Sequence, residues 1–145
     1  MDALNSKDIG NIGESAALYE FVKHGIPVCL PWGDNLRYDM VAEFNGKLNK
    51  IQVKTSEKPN NGAYCFRTES SYNHTTNKRC SKYGLDVDYF VFYALKDNKI
   101  AIMSIEEIGN NSIIMIRISP PKNNQKSKIR YFEDYSFDKI LNHTQ

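Results

Sequence analysis

Between Ile12 and His24 the apolar positions Ala16, Ala17, Leu18, Phe21 and Val22 recur at helical spacing, and Gly25 and Pro27 end the run. A helix is expected over Ile12–His24. The period then shortens. Pro27–Leu30 reads as a short strand, Pro31–Asn35 as a turn cluster, and Tyr38–Phe44 and Lys47–Thr55 as two strands. Asn45-Gly46 joins them and is the strongest short hairpin signal in the chain, because both residues tolerate positive φ. Ala63–Arg67 is expected as a further strand, and the polar stretch Ser70–Lys82 as a loop or broken helix. The aromatic and β-branched run Asp88–Leu95 reads as a buried strand. Asp97-Asn98 turns the chain into a strand over Lys99–Met103, and Ser104 with Glu107 three residues on caps a short helix ending at Ile108. Ile113–Ile118 is a strand, Pro120–Lys128 a loop, and Tyr131–Leu141 closes the chain with a short helix near its end. The pattern predicts an α/β chain of the α+β kind, with a mixed sheet and a helix leading into it, in a single domain over residues 1–145.

A length of 145 residues, 41% of them hydrophobic, suffices for one real core and argues against a disordered chain. The longest apolar run, Ile113–Ile116, is strand-sized, so no membrane span is expected. Met1–Asp8 lacks the apolar core of a secretory leader. Cys29, Cys65 and Cys80 have no short Cys-x-x-Cys spacing, which argues against a disulfide scaffold or a zinc site and fits a reducing cytoplasm. Nor are His24, His74 and His143 grouped at a metal-ligand spacing. Net charge is only +2, yet it is unevenly spread: residues 45–82 carry a net +6, and Arg117–Arg130 holds five basic residues and no acid. Two basic segments suggest a face for a polyanion; two solvated loops are the plain alternative.

The hairpin carries the candidate chemistry. A two-residue Asn45-Gly46 turn sets Phe44 opposite Lys47, Val41 opposite Lys50 and Asp39 opposite Gln52. Alternation then gives Tyr38, Met40, Ala42, Phe44, Ile51 and Val53 one apolar face, and Asp39, Gln52 and Lys54 the other. Opposed side chains stand roughly 5 Å apart, so a carboxylate, an amide and an ammonium converge at the open end of the hairpin. Glu14 adds a second carboxylate, in a stripe with Leu18 and Phe21 on or beside the face that meets the sheet. Asn11-x-x-Glu14 also matches a capping box, which would give Glu14 a purely structural task.

Glu14, Asp39 and Gln52-Val53-Lys54, at this spacing, resemble the PD-(D/E)XK nuclease superfamily. The likeness is to its small members encoded in group I introns, the homing endonucleases of that fold. It rests on Gly13-Glu14, Tyr38-Asp39 and Ile51-Gln52-Val53-Lys54-Thr55-Ser56, is specific from about Gly10 to Ser56, and extends weakly through Asp88-Tyr89-Phe90. Gln52 stands where the superfamily usually has an acid, and Tyr38 where it has proline. The resemblance implies a restriction-endonuclease-like core, a central mixed β-sheet flanked by helices, and hydrolysis of phosphodiester bonds in double-stranded DNA. It implies Glu14, Asp39, Gln52 and Lys54 as catalytic residues. Glu14, Asp39, the Gln52 side-chain oxygen and the Val53 carbonyl would hold Mg²⁺, with Mn²⁺ able to substitute, and Lys54 would orient the attacking water.

Under that reading Lys47, Lys50, Lys58, Arg67, Lys78, Arg79 and Lys82 are expected to track phosphates. Ser70, Ser71, Asn73, His74 and Asn77, with Arg79, are candidates for reading bases, and Lys122, Lys126, Lys128 and Arg130 form a second arm. One active site per chain implies a homo-oligomer, dimer or tetramer, and a quasi-palindromic target. A structure-selective nuclease such as a Holliday-junction resolvase, and a catalytically inactive DNA-binding protein on the same scaffold, are the alternatives.

Overall fold

A computed structural model describes residues 3–33, 35–69, 86–123 and 128–142. The chain runs α1 (Ser6–Lys23), β1 (Val28–Cys29), β2 (Met40–Phe44), β3 (Lys47–Ser56), β4 (Ala63–Arg67), β5 (Tyr89–Ala94), β6 (Lys99–Ser104), α2 (Ile105–Ile108), β7 (Ile113–Arg117), a 3-10 turn (Phe132–Tyr135) and α3 (Phe137–Asn142). Five strands form a mixed sheet in the order β1-β2-β3-β5-β6, parallel only where β3 meets β5. The fourth and seventh strands stand apart as an antiparallel ribbon. Ser104 caps α2 by accepting the Glu107 N–H at 3.2 Å, as its spacing predicts.

The first helix begins at Ser6, six residues before the hydrophobic pattern starts. Its cap is Asn5: Oδ1 accepts the Asp8 N–H at 2.8 Å, and Asp8 Oδ2 accepts the Asn5 N–H at 3.3 Å. This reciprocal pair satisfies donors that the first turn leaves open. Asn11 and Glu14 therefore lie inside the helix, and the capping task considered for Glu14 belongs to Asp8. The stripe that enters the core is Gly13, Ala17 and Phe21, while Val22 is 62% exposed.

The sheet separates two apolar clusters. On one side α1 and α3 cover Met40, Ala42, Phe44, Ile51, Val53 and Val91, with Phe21 edge-on to Phe137 at 5.0 Å between ring centroids. On the other, Phe90, Phe92 and Met103 pack against Tyr64, Phe66, Ile114 and Ile116 of the ribbon. Alternating positions of β5 thus serve opposite clusters, which is why its sequence is apolar throughout.

The hairpin pairs as expected from Phe44 opposite Lys47 to Met40 opposite Ile51, across a turn with φ of 60° at Asn45 and 73° at Gly46. Asn49, fully buried, locks it by donating from Nδ2 to the carbonyls of Ala42, Phe44 and Lys47 at 3.0–3.2 Å. Beyond Met40 the expectation fails. Asp39 donates its N–H to Ile51 O at 2.7 Å, the residue that already faces Met40, so it does not stand opposite Gln52. The slip turns the preceding chain over, and Tyr38 packs with the Phe90 and Phe92 cluster instead of beside Met40. β2 ends here, whereas β3 runs on to Ser56 and pairs with β5 as far as Ser56 opposite Ala94.

Candidate active site

Where β2 stops, the edge of β3 that faced it loses its backbone partner. Ile51 uses that edge, and its carbonyl bonds Asp39. Backbone groups two residues apart on a strand point the same way, so Val53 aims its N–H and C=O into the same gap. Asp39 fills half of it: Oδ2 accepts the Val53 N–H at 2.7 Å. This bond replaces a rung of the ladder and fixes the carboxylate against the main chain. The Val53 carbonyl is approached by Gln52, whose Nε2 lies 3.5 Å away.

The third turn of α1 brings Glu14 to the same place. Its carboxyl hydrogen-bonds Asp39, and the two residues line a cleft of about 230 Å³ together with Asn11, Ser15 and Leu30. Burial pushes the Glu14 carboxyl up to about 7, aided by the hydrogen bond to Asp39 and then by the Asp39 charge. At neutral pH the Glu14 carboxyl is therefore protonated much of the time. A carboxyl held protonated beside a second acid in a cleft is a place where a cation fits.

The donor set decides which kind. Among the described residues no group of three or more His, Cys, Asp and Glu side chains is placed to hold a metal. What is gathered is two carboxylates and a main-chain carbonyl, with an amide beside it. That all-oxygen set, short of a full shell, suits a hard ion that keeps some of its water rather than zinc.

Gln52 and Lys54 leave β3 on the side opposite Val53, and Lys54, half-buried, stands opposite Phe92 across the β3–β5 pairing. The structure therefore brings Glu14, Asp39 and the Val53 main chain together on the α1 side, with the Gln52 amide on the Val53 carbonyl from the other. Asp39 does not share a simple strand face with Gln52 and Lys54. Sequence reasoning passed over Asn11 and Leu30 as cleft walls; for Asn11 the signal was its position one turn before Glu14.

The expected cationic residues scatter. Lys47 is exposed at the hairpin turn, five residues from Gln52 and so roughly 16 Å away along the strand. Lys50 is half-buried, while Lys58, Arg67, Lys122 and Lys128 are exposed. Arg130 is half-buried and already has an acidic neighbour, Glu107, at 3.7 Å. Ser70, Ser71, Asn73, His74, Asn77, Lys78, Arg79, Lys82 and Lys126 lie outside the described residues. No helix among the described residues is long and apolar enough to cross a membrane.

An acid on the leading helix, an acid at the head of a β-hairpin and a Gln-x-Lys strand beside them define the nuclease class that the sequence resembles. The model of the PD-(D/E)XK endonuclease family matches residues 4–138, and the chain belongs to that family. Among solved structures it is similar to a bacterial homing endonuclease, I-Ssp6803I, with a TM-score of 0.76 and 29% identity over 97% of this chain and 95% of that one. No match was found among curated proteins. The mixed α+β architecture is that of the family, and the protein is a nuclease of PD-(D/E)XK type.

Proposed function

We propose that the protein is a Mg²⁺-dependent endonuclease of homing type that cuts double-stranded DNA at a specific, quasi-palindromic site, acting as a dimer or tetramer. The observation that carries this reading is the Glu14–Asp39 carboxyl pair set against the freed edge of β3. In it, Glu14, Asp39, the Gln52 side-chain oxygen and the Val53 carbonyl would hold the ion. The bound ion supplies charge for the phosphoryl oxygens and an acidified water, and Mn²⁺ would serve in its place. Asp39 is fixed by the Val53 N–H, so its negative charge stays aimed into the cleft without reorganisation. Lys54 provides an ammonium at the next position of β3, suited to orienting a water and steadying charge at the phosphate. Leu30 and Leu18 line the cleft beside the acids.

Lys47, Lys50, Lys58, Arg67, Lys122, Lys128 and the basic residues of 70–85 supply phosphate contacts. The Arg130 charge is partly spent on Glu107, so its contact is the weaker expectation. Gln52 at a position usually acidic favours one second reading, a DNA-binding protein on an inactive scaffold.

Incubation with supercoiled plasmid libraries carrying randomised inserts, in Mg²⁺ and in EDTA, tests the proposal. Linear product at one class of sequence, lost with EDTA and in Asp39→Asn, is the expected result. Binding without nicking supports the inactive scaffold, and cleavage confined to four-way junctions supports a resolvase.

A further inference from the structure

The first helix carries two glycines ahead of Glu14, Gly10 and Gly13, although glycine weakens a helix interior relative to alanine. Their surroundings differ. A Cβ built on Gly10 would meet nothing within 4 Å. One built on Gly13 would lie 1.8 Å from Thr55 Oγ1, 3.1 Å from Thr55 Cβ and 3.4 Å from Thr55 Cγ2. Contact at 1.8 Å is not possible, so alanine at this position requires something to move. Thr55 has little freedom to yield. It is β-branched, and it is held in β3 opposite Tyr93 of β5, one residue before the strand ends. Turning its side chain removes the Oγ1 clash but leaves its Cβ at 3.1 Å, still tighter than ordinary packing.

We propose that Gly13 is a positioning residue for the metal site: its missing side chain lets α1 settle on Thr55, and this close approach sets the reach of Glu14 to Asp39. Gly13 and Glu14 are adjacent, and Thr55 lies two residues beyond Val53, on the same face of β3. The helix–strand contact is thus built into the site's own frame. Any lift of α1 from Thr55 carries the Glu14 carboxyl away from Asp39 and Val53. Sites for small hard ions tolerate little displacement of their oxygens. The inference rests on the metal reading of the Glu14–Asp39 pair.

The test is Mn²⁺ binding by titration calorimetry, with thermal melts alongside, for the wild type, Gly10→Ala, Gly13→Ala, Thr55→Ala and the double variant Gly13→Ala/Thr55→Ala. Gly13→Ala is expected to weaken Mn²⁺ binding about tenfold or more, the range seen when a ligand's supporting contact is lost. Gly10→Ala, which brings the same methyl into open space, leaves the affinity unchanged. In the double variant Thr55→Ala restores most of what Gly13→Ala lost, because it clears the atoms that block the new methyl. A folded Gly13→Ala with wild-type affinity, or a loss that Thr55→Ala does not relieve, overturns the positioning role and leaves the metal reading standing. A wild type that binds no Mn²⁺ overturns both. Should Gly13→Ala alone fail to fold, a double variant that folds and binds normally supports the steric account, and one that also fails to fold overturns it.

Discussion

Glu14→Gln separates what the acid does for the site from what it does to the fold. In the metal-free protein the Glu14 carboxyl titrates near 7 rather than 4.5, because of burial first and its contact with Asp39 second. The folded state therefore holds this proton more tightly than the unfolded chain. That stabilisation is complete below pH 4.5 and is lost as pH rises through 7. Taken at face value the displacement is worth about 3 kcal/mol. Glu14 is only half-buried and water reaches the cleft, so screening leaves about 1–2 kcal/mol. An amide does not titrate and can still donate to Asp39. In EDTA at pH 8, Glu14→Gln should melt about 3–8 °C above the wild type, on the scale expected for a chain of this length. The wild type should lose stability between pH 4.5 and 7.5 more steeply than the variant. Added Mg²⁺ should reverse the order, since binding stabilises only the protein that retains both carboxylates. The assay is calorimetry or circular-dichroism melts across pH 4–8.5, with and without Mg²⁺. Parallel pH profiles for the two proteins would refute the raised Glu14 carboxyl, and equal stabilisation by Mg²⁺ would remove Glu14 from the metal site.

Lys54→Ala should abolish plasmid cleavage while DNA affinity, measured by gel shift in Ca²⁺, stays within a few-fold of wild type; wild-type rates would remove Lys54 from the chemistry. If Lys58 and Arg67 contact phosphates, replacing both with alanine should flatten the dependence of log affinity on log salt by nearly two, about 0.9 per contact, and an unchanged slope would take them off the interface. Asn5→Ala should lower stability by about 1 kcal/mol in urea melts, because the first turn loses its reciprocal cap. Tyr64→Phe should cost about 1–2 kcal/mol, since the buried hydroxyl bonds Asp97 Oδ2 at 2.5 Å and accepts the Asp97 N–H at 3.2 Å. A Tyr64→Phe melt matching the wild type would show that water replaces both bonds.

What was legible in the sequence follows from where side chains dictate the backbone. Asn45-Gly46 specified the turn, and the turn specified the register down to Met40 opposite Ile51, because a two-residue loop leaves no other pairing. The start of α1 was hidden because its first turn, Ser6–Asp8, is exposed and needs no apolar partner; only the Asn5–Asp8 cap marks it. The strand bounds elsewhere differ from the pattern by a residue or two at their ends, where pairing frays. The face shared by Asp39 and Gln52 was misread for a different reason. Period-two alternation assumes an unbroken ladder, and Asp39 breaks it by directing its N–H to Ile51 and its carboxylate to Val53. A residue that leaves the repeat to serve the site is invisible to an argument from the repeat. The separation of β4 and β7 from the main sheet was equally out of reach, since their alternating patterns suit any two-sided sheet.

Half of the Asp39 anchor belongs to the peptide bond at position 53 and not to valine. Isoleucine or leucine there would present the same amide and the same oxygen, so an alanine scan would pass over the position as a matter of core fit. Proline alone among the replacements takes the amide hydrogen away, and Val53→Pro should free Asp39 to swing. Side chains along this stretch can therefore change while the atoms that matter stay in place.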